Sequence, residues 1–216
     1  MITLKDNKES LGGLHYCTDH SGKMKGMQSL STSCTLNDIC LKRRDLKNSV
    51  CHKCYSFRMM KQYKDLRSVC ESNTRILTSR LLSNDEIPVI NALYFRFESF
   101  GELVNTTQVR NYFAICRKNP YVRFAIWTKN AWIIDDALQN CNEKKPRNLI
   151  VVLSSIYLNS KAMSPYPFVD KVFTVYTKEY AEEHGIDINC GHRNCVECGK
   201  CYNKNFVTEI NEIIHK

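Results

Sequence analysis

The pentapeptides "CHKCY" (Cys51–Tyr55) and "CGKCY" (Cys198–Tyr202) repeat one chemistry at two distant points of a 216-residue chain. A Cys-x-x-Cys pair can hold a metal, cycle between dithiol and disulfide, or belong to a disulfide framework. The neighbours of each pair narrow the choice. Around the second, "CGHRNCVECGKC" sets Cys190, Cys195, Cys198 and Cys201 in a C-x4-C-x2-C-x2-C array. Four thiolates this close in sequence can wrap one centre unaided, and runs of Cys-x-x-Cys-x-x-Cys suit the edges of a [4Fe–4S] cluster. Structural zinc more often takes two knuckles separated by a longer loop. The expectation is an iron–sulfur cluster, with Zn as the alternative.

Around the first pair the spacing is looser. Cys34 and Cys40 precede Cys51 and Cys54 in a C-x5-C-x10-C-x2-C pattern, and the loop between carries Lys42, Arg43 and Arg44. Basic groups there offset the negative charge of a thiolate-rich site. Each pair thus has its own complement of two further cysteines, which predicts two centres rather than one. The competing arrangement joins Cys51–Cys54 and Cys198–Cys201 in a single shared site. Tyr55 and Tyr202 are expected to lay their rings against the clusters and exclude water. His52 and His192 lie inside the clusters and could replace a thiolate. Cys70 and Cys116 fall within helical patterns as small core residues, Cys17 reads as a loop cysteine, and Cys141 has no ligand spacing.

Composition constrains the setting. No apolar run approaches the roughly 18 residues of a membrane span, and "MITLKDNKESLGG" lacks the apolar core of a signal peptide. The expected address is the cytoplasm (the host cell's, if the chain is phage-encoded), where 12 cysteines are better metal ligands or redox groups than disulfides. The net charge of +9 points to an acidic partner, nucleic acid among them. Dinucleotide, P-loop, zincin and GxSxG motifs are all missing, as is the C-x3-C-x2-C signature of radical S-adenosylmethionine enzymes.

The elements that must position these residues alternate. Residues 1–50 read as irregular and loop-rich. From Cys51 a Pro- and Gly-free stretch spaces its apolar residues helically, predicting one helix from about Tyr55 and another over about 69–82. Strands are predicted over 92–98, 122–127, 148–153 and 170–176, with helices over 106–119, 129–140 and 178–185 and an amphipathic helix in "NFVTEINEIIHK" at the end. Strand–helix alternation without hairpin signals predicts a single α/β domain over 1–216: a short parallel sheet with covering helices, curved as a partial (TIM-like) barrel, and cysteine-rich loops at both ends. Its core spans 51–186 and its C-terminal cysteine segment 187–216. Polar residues at carboxyl ends of parallel strands face the usual ligand position. Arg96, Glu98, Thr128, Lys129 and Ser154 are accordingly the candidates to line a small-molecule pocket.

The runs "STSCTLNDIC", "SVCHKCYSFRMMKQYKDLRSVCESNTRIL", "YFRFESFGEL" and "NPYVRFAIWTKN" resemble a bacteriophage family, the gene product 88-like proteins. That family carries a cysteine loop ending in C-x-x-C-Y, an Arg-containing strand before a Ser–Gly–acid turn, and a strand ending Thr–Lys–Asn. Here Phe100 is inserted before Gly101, displacing the acid onto Glu98 or Glu102. More distantly, a C-x-x-C-Y loop before an alternating array is similar to the radical S-adenosylmethionine partial barrel. The resemblance implies a fold and an iron–sulfur cofactor rather than a reaction.

Two functions follow as expectations. One is an iron–sulfur protein of redox or electron-transfer character, holding one or two [4Fe–4S] clusters, with an unknown redox partner or small molecule at the strand ends. The other is a zinc-stapled module whose basic loop (Lys42, Arg43, Arg44, Lys47) binds nucleic acid or a host protein.

Overall fold

The structure is a computed structural model that describes residues 7–18, 20–191 and 193–214. Eight strands form one sheet in strict chain order: β1 (Asn7–Glu9), β2 (His15–Cys17), β3 (Gln28–Leu30), β4 (Tyr94–Phe97), β5 (Arg123–Thr128), β6 (Leu149–Ser154), β7 (Lys171–Tyr176) and β8 (Glu209–Ile213). From β3 to β8 every pairing is parallel, while β1, β2 and β3 pair antiparallel. The helices are α1 (Asp38–Arg44), α2 (Tyr55–Gln62), α3 (Lys64–Ser79), α4 (Thr106–Lys118), α5 (Ala131–Asn140), α6 (Lys178–Glu183) and α7 (Cys195–Cys198). The four predicted core strands and the helices between them are present within two residues of their expected ends.

Period-two alternation explains the layers. Phe95 and Phe97 of β4, Phe124 and Ile126 of β5, and Leu149 and Val151 of β6 share one buried cluster with Leu77, Tyr112, Phe113 and Ile133 of the helices. Their alternates Tyr94, Ala125, Ile150 and Val152 turn to the opposite face, where Met27 and Tyr202 join them. Chain-ordered parallel strands whose helices α3, α4 and α5 lie on one side require crossovers of a single hand, the rule for βαβ units. The second face is left for the N-terminal loop and the C-terminal cysteine segment to cover.

Three expectations need correcting. "NFVTEINEIIHK" contributes strand β8, not a helix, among its described residues. Its amphipathic spacing serves a strand equally well, and an unpaired edge of β7 supplies the hydrogen bonds that decide the matter. The 1–50 segment is not irregular throughout, since it holds β1, β2, β3 and α1, and Cys17 sits in β2 rather than a loop. Those strands are three residues each, too short to register as a period. The helix expected over about 69–82 begins earlier: Tyr63, at φ −116 and ψ 99, separates α2 from α3 without any Gly or Pro to announce the break.

Candidate functional site

The first cysteine quartet comes from three turns, two of them closed by side-chain caps. Cys34 opens a 3-10 turn capped by Ser33, whose hydroxyl accepts from Thr35 N at 3.2 Å and whose own N–H donates to Thr74 of α3. Cys40 lies in the first turn of α1, where Asn37 accepts from Ile39 N and Cys40 N. The Asn37 amide donates in turn to the carbonyls of Glu102 and Leu103, pinning α1 to the loop after β4. Asp38 in the first turn and Lys42, Arg43 and Arg44 in the last complement the helix dipole. Cys51 and Cys54 form a tight knuckle in which Cys54 N donates to Cys51 O at 3.1 Å, and Cys54 caps α2. That knuckle hangs on the segment after β6, since Val50 N donates to Ile156 O at 2.9 Å.

The four thiols act on one another. Burial pushes Cys34 up to about 12, with the Cys54 charge adding to it. Burial also raises Cys40, helped by Glu102 and then by Cys34, Cys51 and Cys54. A backbone hydrogen bond and then the Arg44 charge oppose this at Cys34; the Arg44 guanidinium stacks 4.8 Å from the Phe57 ring. Two further sulfurs border them: Cys34 packs with Met60 and Cys70, neighbours that Cys70's place within a helical pattern gave no reason to expect.

The second quartet is held on the other face of the sheet. Cys190 N donates to Asn211 O of β8, and the Asn189 side chain bonds the same strand at Glu209 O and Asn211 N. The Asn194 amide ties the same segment to Lys25 O at 3.0 Å. Cys195 and Cys198 bound α7, capped by Asn194 and ended by Gly199 at φ 59, where a Cβ would crowd Asn203 and the Tyr94 hydroxyl. Cys190, Cys195 and Cys198 all act on Cys201, which burial first of all raises to about 12. Lys23 reaches across from the N-terminal segment to place Nζ 3.1 Å from Cys190 Sγ. Burial disfavours the Lys23 charge, but Glu212 and Cys190 outweigh it and hold the ammonium above its ordinary range.

The two tyrosines differ. Tyr202 is buried, its ring 4.9 Å from Tyr94 and 5.8 Å from Trp127, in one apolar cluster with Cys195 and Cys201. The Tyr55 ring is half exposed against Phe100, while its hydroxyl turns inward to donate to Ser99 O. Removal of the hydroxyls from water raises both phenols, and the Arg96 charge opposes the rise in both. Arg96 thus lies electrostatically between the two repeated pentapeptides.

Among the strand-end candidates, Glu98 stands at φ 59, a conformation rarely adopted without Gly. Its carboxylate accepts from Thr32, Gln108 and Tyr112 on the helix side. Thr128 donates to Glu102, whose other oxygen accepts from Lys129 N at 2.7 Å. Lys129 O receives Arg43. Ser154 is buried at the end of β6. Arg96, on β4, lies 4.1 Å from the Trp127 ring centroid. Lys23 and Trp127 are the residues that motif reading missed. The strand alternation could have found Trp127, whereas nothing in the sequence links Lys23 to Cys190.

Among the described residues no three His, Cys, Asp or Glu groups are close enough to hold one metal ion. Each quartet is all-thiol and partly buried, and no disulfide joins any of the twelve cysteines, all of which are described. His52 turns its Nδ1 to Arg44 O; His192 lies outside the described residues. No helix among the described residues is long and apolar enough to cross a membrane. No protein-family model, curated protein or solved structure matches the chain.

Proposed function

We propose that the protein is an iron–sulfur protein with two four-thiolate centres, one of Cys34, Cys40, Cys51 and Cys54 above the strand ends, the other of Cys190, Cys195, Cys198 and Cys201 on the far face. The observation that carries this reading is that separate turns gather the cysteines: Cys34 and Cys40 pack in one cluster, Cys51 and Cys54 close one knuckle, and Cys195 and Cys201 share a cluster on the other face. When bound, such clusters supply one-electron redox chemistry. The chain's own groups do the rest. Lys23 directs an N–H at Cys190, Tyr202 and Trp127 close the second centre against water, and Arg44 offsets charge at the first. The strand ends between the centres then take a small molecule. The test is stoichiometric: anaerobically purified protein should be brown and contain about eight irons and eight sulfides per chain. Colourless protein containing zinc or no metal refutes it.

The zinc-stapled basic module draws on a different feature. A cavity of about 510 Å³ beside the first knuckle is lined by Lys47, His52 and Lys53, with Ser49, Tyr157 and Asn159, which suits an anionic partner. The same metal analysis separates the two readings.

A further inference from the structure

Four buried side-chain polar atoms among the described residues have no hydrogen-bond partner: Arg96 Nε, Ser99 Oγ, Asn130 Oδ1 and Ser155 Oγ. Buried polar groups in folded proteins are nearly always satisfied, so an orphan asks for a cause. These four lie on or just after adjacent strands. Arg96 is on β4 and Ser99 two residues past its end, Asn130 follows β5, and Ser155 follows β6. Three adjacent parallel strands therefore deliver every orphan to their carboxyl ends, the ligand-binding end of such sheets. Ser99, Asn130 and Ser155 are 4%, 0% and 4% exposed, which leaves bulk water little access to them.

Arg96 is the strongest of the four. A guanidinium is always charged and offers five N–H donors in a fixed fork. Arg96 stacks on Trp127 and directs one terminal nitrogen at the weak acceptor Met24 Sδ, 3.5 Å away. It enters none of the ion pairs formed among the described residues. A stacked guanidinium without a carboxylate partner is poised for bidentate recognition of an oxyanion.

We infer that Arg96 anchors the oxyanion of a small ligand, a carboxylate or a phosphate, at the carboxyl ends of β4–β6, with Ser99 and Ser155 donating hydroxyl hydrogens and Asn130 Oδ1 accepting from a hydroxyl of the ligand. The inference rests on the strand-end ligand site proposed above but uses no cysteine, so it stands or falls separately from the iron. The experiment is isothermal titration calorimetry of the full-length, anaerobically purified protein with inorganic phosphate and, separately, with malate. Saturable binding of either in the millimolar range or tighter is expected, and the anion that binds names the source. Arg96→Gln should weaken it by at least about tenfold with iron and sulfide contents unchanged. Absence of saturable binding by both anions, or equal affinity in R96Q, overturns the inference. So does loss of iron in R96Q, which would assign the guanidinium to a cysteine centre. Should R96Q fail to fold, Ser155→Ala removes a hydroxyl with no protein partner to lose. S155A should fold normally and bind several-fold more weakly, and unchanged affinity overturns the proposal.

Discussion

Lys23 Nζ lies 3.1 Å from Cys190 Sγ and 2.5 Å from Glu212 Oε1, so a residue between β2 and β3 meets the last strand and the C-terminal quartet at once. Positive charge and N–H bonds to a cluster's sulfurs raise its reduction potential. Lys23→Met should therefore lower the potential of the C-terminal centre and leave the other unmoved, as read by a redox titration of the visible absorbance. Two unchanged potentials would separate Lys23 from the cluster.

The two quartets should respond independently. Cys198→Ser should remove about half of the iron and loosen the tail, because ligation supplies the order that this Gly-containing loop lacks. Cys54→Ser should remove the other half and leave the tail intact. Near four irons in the parent, with both variants equally depleted, would favour one shared site.

Glu98 makes stability depend on pH. Burial above all lifts its carboxyl to about 7, only partly offset by Tyr112 and Thr32 and reinforced by Glu102. Between the unfolded value near 4.5 and about 7 the folded state holds a proton that the unfolded chain has lost. Stability from this group is thus present below about pH 4.5 and falls as pH rises through 7, by a limit on the order of 3 kcal/mol. Glu98→Gln cannot titrate, so chemical denaturation across pH 4.5–8 should give a flatter profile. An equally steep one would remove Glu98 as the source.

Gly101 and Gly185 should separate overlap from backbone strain. A Cβ at Gly101 would run into the Glu98 carboxylate and the Thr32 hydroxyl and carbonyl, so Gly101→Ala should cost about 2–4 kcal/mol in denaturant unfolding. Gly185 adopts φ +59 with open space around it, and Gly185→Ala should cost only about 1–2 kcal/mol. Equal effects would mean that the Gly101 turn can open.

Most of the central architecture was legible because it depends on local period. "RFAIWT" and "LIVVLS" are apolar on both faces, and the helices between them repeat apolar residues at three to four, so β5, β6, α4 and α5 follow from the chain alone. The proposed grouping of cysteines into two quartets rests on their spacing alone. What spacing could not express was direction. Residues 205–214 carry a pattern that suits helix or strand, and only the free edge of β7, which exists once the sheet has formed, makes them β8. The three short strands before β4 owe their existence to the same cooperative pairing. Tertiary structure alone also decided which charges meet which thiols: Lys23 and Cys190 stand 167 residues apart. Arg96 reaches Trp127 only because β4 and β5 pair in a register that turns both to the same face. Periodicity is a property of neighbours along the chain, whereas a site is made by contacts across it, and those are set when strands choose their partners.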